Sequence, residues 1–176
     1  MHPEIFKKFE DLISIYKPEI MENVLEIGAD LNFSLLTSKV FKGVFNRVGL
    51  NLKPIQSNST IQMVCGDSND MDMYEEGSFD VVLSNATLEH DKYFWKSISE
   101  MRRVLSIGGL MVIGVPGYVG AESGNSTPTY MVHDLPGDYY RYSVQSCKEV
   151  FFEEFSNIDQ TIMLHPPRII TSGIKV

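Results

Sequence analysis

The sequence is poor in cysteine, in positive charge and in long apolar runs, and each shortage closes off a class of protein. Its two cysteines, Cys65 and Cys147, form no Cys-x-x-Cys pair and join no histidine cluster. That excludes a disulfide framework and offers no zinc-type ligand set, so no metal is expected. No apolar run approaches the roughly 18 residues that a membrane span needs. The start, Met1-His2-Pro3-Glu4-Ile5, lacks the basic region followed by an apolar stretch that marks a secretory signal. A reduced, cytoplasmic setting with no membrane partner is therefore expected. Lys and Arg number 15 against 23 Asp and Glu, a formal net charge of -8. Such a surface repels phosphate backbones, and the densest basic cluster is only Arg102-Arg103, so no nucleic acid partner is expected.

The 176 residues, 43% of them hydrophobic, suffice for one packed core and fall short of two ordinary ones, so residues 1–176 read as one domain. Ile5, Phe6, Phe9, Leu12, Ile13 and Tyr16 recur at helical spacing and predict an amphipathic helix from Pro3 to Tyr16, closed before Pro18. A short apolar run, Asn23 to Ile27, predicts a buried strand that Gly28 ends. A helix over 34–41, with Ser34 as its cap, is expected next. Further strands are predicted at 46–52, 61–65, 79–84 and 110–115, with a helix over 93–105 ahead of the last of these. Phe79-Asp80-Val81-Val82-Leu83-Ser84 has the near-continuous apolarity of a strand covered on both faces. Residues 117–138, rich in Gly, Ser, Thr, Pro and Asn, read as a long loop, functional or mobile. A helix over 143–152 and two strands, 158–164 and 168–176, joined at His165-Pro166-Pro167, close the chain. Strands alternating with helices predict an α/β doubly wound, mostly parallel sheet, and the closing pair predicts one antiparallel strand.

In such sheets ligands bind beyond the carboxyl ends of the strands, where the strand order reverses. Past the first strand, Gly28 lets the backbone turn sharply, or is simply a tight turn. The N-terminus of the helix that follows would offer free N–H groups to a carboxylate, and Glu26 would answer an ammonium. Past the second strand, Asn51 can hydrogen-bond a diol, or serve as the turn residue ahead of Pro54. Past the third, Asp67 can accept from a ring amino group. A nicotinamide-binding Gly-x-Gly-x-x-Gly is absent after the first strand.

Taken in order, Val24-Leu25-Glu26-Ile27-Gly28, Gly66-Asp67, Gly77-Ser78-Phe79-Asp80-Val81-Val82-Leu83-Ser84-Asn85, Leu88-Glu89-His90, Glu100 to Leu105, Gly108-Gly109 and Val115-Pro116 resemble the class I S-adenosylmethionine-dependent methyltransferases. The likeness is to the small single-domain enzymes called type 11. It runs from about Asn23 to Pro116 and resumes at His133 to Ser143. It implies a Rossmann-like sheet of seven strands with an antiparallel last strand and helices on both faces. S-adenosylmethionine would be the cofactor and S-adenosylhomocysteine the product. The resemblance places Glu26 and Gly28 by the methionine end, Asn51 and Leu52 by the ribose, and Asp67 and Ser68 by the adenine. Asn85, Ala86 and Leu88 would form the methionyl floor.

Two departures stand out. The family's first loop reads acidic-x-Gly-x-Gly-x-Gly, and here Asp30 and Asn32 replace the second and third glycines. Asp30 would oppose the ligand's carboxylate, so Asp30→Gly is expected to tighten binding. The acidic residue that the family carries after its second strand is Asn51 here. For methyl transfer to a hydroxyl or amine, His133 and His90 are the candidate bases, against a loop-ordering or helix-start role. Tyr139 and Arg141 are candidates for binding the acceptor, with pairing of Arg141 to Asp134 or Asp138 as the alternative. The expected acceptor is a small molecule or glycan. The competing expectation is a non-catalytic relative that keeps the fold as a binding or regulatory domain.

Overall fold

The computed structural model describes residues 1–119 and 137–176. Seven strands form one sheet: β1 (Asn23–Ile27), β2 (Asn46–Asn51), β3 (Gln62–Cys65), β4 (Phe79–Asn85), β5 (Leu105–Val115), β6 (Phe155–Leu164) and β7 (Pro167–Lys175). Their order is β3-β2-β1-β4-β5-β7-β6. Pairing is parallel from β3 through β5, while β7 runs antiparallel to both of its neighbours. The single reversed strand is the last one, as the sequence predicts. Among the described residues no helix is long and apolar enough to cross a membrane.

Alternation along each strand sorts side chains into two cores. Val24, Val81, Leu83, Leu110 and Val112 pack with Ile5, Phe9, Leu12 and Ile13 of α1 (Pro3–Tyr16). Leu25, Ile27, Val82, Met111 and Ile113 face the other way, toward Ile98 and Met101 of α2 (Phe94–Val104) and Cys147 of α3 (Val144–Glu149). This is the doubly wound arrangement: two-residue periodicity in the strands, with an apolar helical stripe on each face. Phe94 joins an aromatic group with Tyr140, Tyr142 and Phe151 at centroid separations of 5.0, 5.3 and 5.9 Å.

The structure departs from the sequence-based expectation between β1 and β2. The helix expected over 34–41 is two three-residue 3-10 turns, Leu35–Thr37 and Lys39–Phe41. Ser34 does cap, accepting from Leu36 N–H, but Ser38 caps as well, accepting from Val40 N–H. A second cap four residues on starts a new turn where a continuing helix would place an interior residue. Between β3 and β4 the chain forms no helix. Instead, Arg103 donates to the carbonyls of Met71 and Tyr74, both at 2.8 Å, while Glu100 pairs with Arg103 and accepts from Met71 N–H. The Glu100–Arg103 pair on α2 thus clamps the loop that leads into β4.

Candidate active site

Strand order turns back between β1 and β4, and a cavity of about 740 Å3 lies there. That volume is within the range of small-ligand sites. Gly28 and Asp30 line it from the first loop, residues 51–55 from the end of β2, and residues 66–69 from the end of β3. Ala86, Thr87, residues 90–93 and Tyr139 complete the wall.

Gly28 is fixed by two separate demands. Its φ is +76°, a left-handed conformation that disfavours any side chain. A Cβ built there would also lie 2.0 Å from Thr87 Oγ1. Thr87 is held in that place by donating to the carbonyls of Ile27 and Asn85. Ala86, between them, also has a positive φ, of 54°, and its N–H donates to Gly114 O at 2.9 Å. Strained backbone at the ends of β1 and β4 therefore meets at one edge of the cavity.

Glu26 does not line the cavity. Strand alternation directs it to the face of α1, where it is 3% exposed. Its carboxylate accepts from Ser34 Oγ at 2.5 Å, Leu35 N–H at 3.2 Å and Leu36 N–H at 3.4 Å. Burial pushes its pKa up to about 7, with these hydrogen bonds opposing the shift and nearby Asp30 adding to it. The same bonds overturn the expectation of free N–H groups at this point, because Glu26 caps them. Asp30 is exposed and lines the cavity, with Oδ1 accepting from Asn32 N–H at 2.9 Å. Neither Asp30 nor Asn32 takes a positive φ, so this turn has no need of the glycines they replace.

At the far wall, Asn51 donates to Ala29 O at 2.8 Å and accepts from Lys53 N–H at 2.9 Å. It ties the first loop to the end of β2 while lining the cavity beside Leu52. Asp67 is exposed, with Oδ1 accepting from the backbone and side chain of Asn69. Ser68 lies 2.8 Å from Ser97 Oγ, which itself donates to Asp91. Asp91 also accepts from Asn69 and from Tyr93 N–H, so one carboxylate joins the β3 end to the start of α2. Sequence reasoning missed this brace, and also Thr87, Lys53, Lys92 and Tyr93 in the wall. They carry no periodic or motif signal and are gathered only by tertiary structure.

The acceptor candidates divide. His90 and Tyr139 both line the cavity. Tyr139 N–H donates to Glu89 O at 2.8 Å, pinning the segment after Gly137 against the turn that carries His90. Arg141 makes a bidentate pair with Asp138, at 2.5 and 2.6 Å, and does not line the cavity. Leu88 is fully buried in the core, and Asn85 packs against Gly114 outside the cavity wall. His133 lies outside the described residues. Among the described residues no cluster of His, Cys, Asp and Glu could hold a metal ion.

Glu89 is fully buried, and neither carboxylate oxygen accepts a hydrogen bond among the described residues. Arg168 Nη1 stands 3.6 Å from Oε1. Burial pushes this carboxyl up to about 7 against the pull of Arg168.

A family model described as a methyltransferase domain matches residues 27–113. A search of curated proteins returns no match. Among solved structures, a SAM-dependent methyltransferase from Archaeoglobus fulgidus superposes with a TM-score of 0.74 at 12% identity, covering 98% of this chain and 93% of that one. The 1,6-didemethyltoxoflavin-N1-methyltransferase of Burkholderia thailandensis, with bound 1,6-didemethyltoxoflavin and S-adenosylhomocysteine, superposes at 0.67 and 15% identity, covering 99% and 77%. An N-methyltransferase of Haemonchus contortus, in complex with phosphomonomethylethanolamine and S-adenosylhomocysteine, gives 0.68 at 14%, covering 96% and 52%. At such identities these likenesses speak for the fold.

Proposed function

We propose that the protein transfers a methyl group from S-adenosylmethionine to a small-molecule or glycan-type acceptor, a reading supported by the match of residues 27–113 to a methyltransferase-domain model. The observation that carries this reading is the cavity at the strand-order reversal, walled by the ends of β1, β2, β3 and β4. Two solved proteins of the same fold hold S-adenosylhomocysteine. The residues present fit an adenosyl ligand. Among the residues that line the cavity, Asp67 and Ser68 would hold the adenine, Asn51 and Leu52 the ribose, and Gly28 with Ala86 would leave room for the aminoacyl chain.

When bound, the cofactor supplies an electrophilic methyl group on a sulfonium. The chain's own part is to hold the two reactants in line and to receive a proton. Positioning alone is worth up to about 7–11 kcal/mol of barrier. His90, at the cavity wall, is the side chain we assign to take the acceptor's proton. Tyr139, held by Glu89 O, shapes the acceptor side. The alternative, a non-catalytic binding domain, draws on the first loop, where several N–H groups are taken up by the protein's own oxygens.

Calorimetric titration with S-adenosylhomocysteine tests the reading. Saturable one-to-one binding at micromolar concentration, weakened by Asp67→Ala, is the expected result. No heat and no thermal shift at millimolar ligand would leave only the non-catalytic alternative.

A further inference from the structure

The ligand's aminoacyl end carries one positive and one negative group, and the first loop offers them unequal partners. Six backbone N–H groups of the first loop are already used. Those of Gly28 and Ala29 donate to Leu50 O at 2.8 and 3.2 Å. Asn32 donates to Asp30 Oδ1, Phe33 to Asp30 O, and Leu35 and Leu36 to Glu26. The turn that follows is three residues long, with no dipole of consequence to draw in an anion. The charged group that this loop presents to the cavity is the Asp30 carboxylate, exposed and with one oxygen committed to Asn32. The lysines that line the cavity come from other segments: Lys53 follows β2, and Lys92 precedes α2 with its Nζ 5.4 Å from the Tyr93 ring centroid.

We propose that Asp30 recognises the ammonium of the ligand's aminoacyl end, the role expected of Glu26, and that this end of the cavity selects for the amine and against the carboxylate. The inference rests on the cofactor reading above. It reverses the expected sign of an Asp30 substitution, because six of the loop's backbone N–H groups are already committed within the protein and the charge the loop presents to the cavity is negative. A hydrogen bond between two ionised groups is about twice as strong as a neutral one, so its loss is expected to reduce affinity about tenfold or more.

Four probes decide the matter by calorimetry, on the wild-type chain and on Asp30→Asn, which keeps an oxygen for Asn32 N–H. They are S-adenosylhomocysteine, its analogue without the carboxylate, its analogue without the amine, and 5′-methylthioadenosine, which lacks both. The wild type is expected to bind the decarboxylated analogue at least as tightly as S-adenosylhomocysteine, and the deaminated one about tenfold more weakly. Asp30→Asn is expected to lose about tenfold for the two amine-bearing ligands and nothing for 5′-methylthioadenosine, whose unchanged affinity also shows that the variant is folded. Two results would overturn the inference while leaving the cofactor reading intact. One is an Asp30→Asn chain that binds S-adenosylhomocysteine as tightly as wild type or tighter. The other is a wild type that favours the deaminated analogue over the decarboxylated one. A wild type that binds none of the four overturns both.

Discussion

Replacing Gly28 by alanine is expected to destabilise the protein by about 3 kcal/mol and to abolish binding in the cavity. Two costs combine. A side chain at φ +76° costs roughly 1–2 kcal/mol. The new methyl also overlaps Thr87, whose Oγ1, Cγ2 and Cβ would lie 2.0, 2.6 and 2.9 Å away, and overpacking of this kind costs about 1–3 kcal/mol. The two costs can be separated. Thr87→Ala removes the two nearest atoms and gives up the hydroxyl's bonds to Ile27 O and Asn85 O. In the double variant the clash largely disappears while the backbone strain remains. A double-mutant cycle by urea denaturation should therefore show a coupling of about 1–2 kcal/mol in favour of the pair. Strict additivity would mean that the Thr87 contact is not what excludes a side chain at position 28. A Gly28→Ala chain within 0.5 kcal/mol of wild type, the ordinary range of surface changes, would contradict both costs.

Stability is also expected to fall as pH rises from about 4.5 to about 7, and then to level off. Glu26 and Glu89 are the cause. Each is buried, and burial pushes each carboxyl from 4.5 up to about 7 in the folded chain. Between those values the folded protein holds protons that the unfolded chain has released. Raising the pH through this window therefore favours unfolding. Below it both states are protonated and the contribution is fully present, and above it the loss is complete. A shift of this size corresponds to about 3 kcal/mol for each group. Glu100 acts in the opposite direction, because Arg103 holds its pKa down. Its effect is confined to pH below about 4.5 and does not mask the window. Urea denaturation at pH 5, 6, 7 and 8 should show the decline, and Glu89→Gln should make it shallower by about half. A stability that rises from pH 5 to 7, or a slope that Glu89→Gln leaves unchanged, would remove these two carboxyls as its source.

Much of the fold is legible in the sequence because strands covered on both faces leave a plain mark. The run Phe79 to Ser84 and the stop signals at Gly28, Gly66 and Pro116 sit where β4, β1, β3 and β5 end or nearly end. Of the site, legibility extends to backbone positions and fails at side-chain allegiances. Gly28, Asp67 and Ala86 reach the cavity because a strand end puts them there. Glu26 is one residue from the strand end yet belongs to the opposite layer, which the two-residue alternation of Val24 and Glu26 already implies. The helix expected over 34–41 fails because Ser34 and Ser38 each draw a backbone N–H to a side-chain oxygen. That competition is local, but its outcome depends on Glu26 fixing the first turn. The Asp91 brace joining Asn69, Ser97 and Tyr93 rests on contacts across 22 and 6 residues of chain, which no pattern along the sequence reveals. Trp95, in α2, is 52% exposed and meets Tyr93 and Phe94 edge to face.

The central claim is that the cavity between the ends of β1 and β4 is the seat of S-adenosylmethionine. A crystal structure grown with S-adenosylhomocysteine tests it most directly. The account predicts the ligand in that cavity, with its adenine against Asp67 and Ser68, its ribose beside Asn51 and Leu52, and its amine within hydrogen-bond distance of Asp30. Ligand bound at any other place on the chain, or a cavity left empty at saturating concentration, would contradict it.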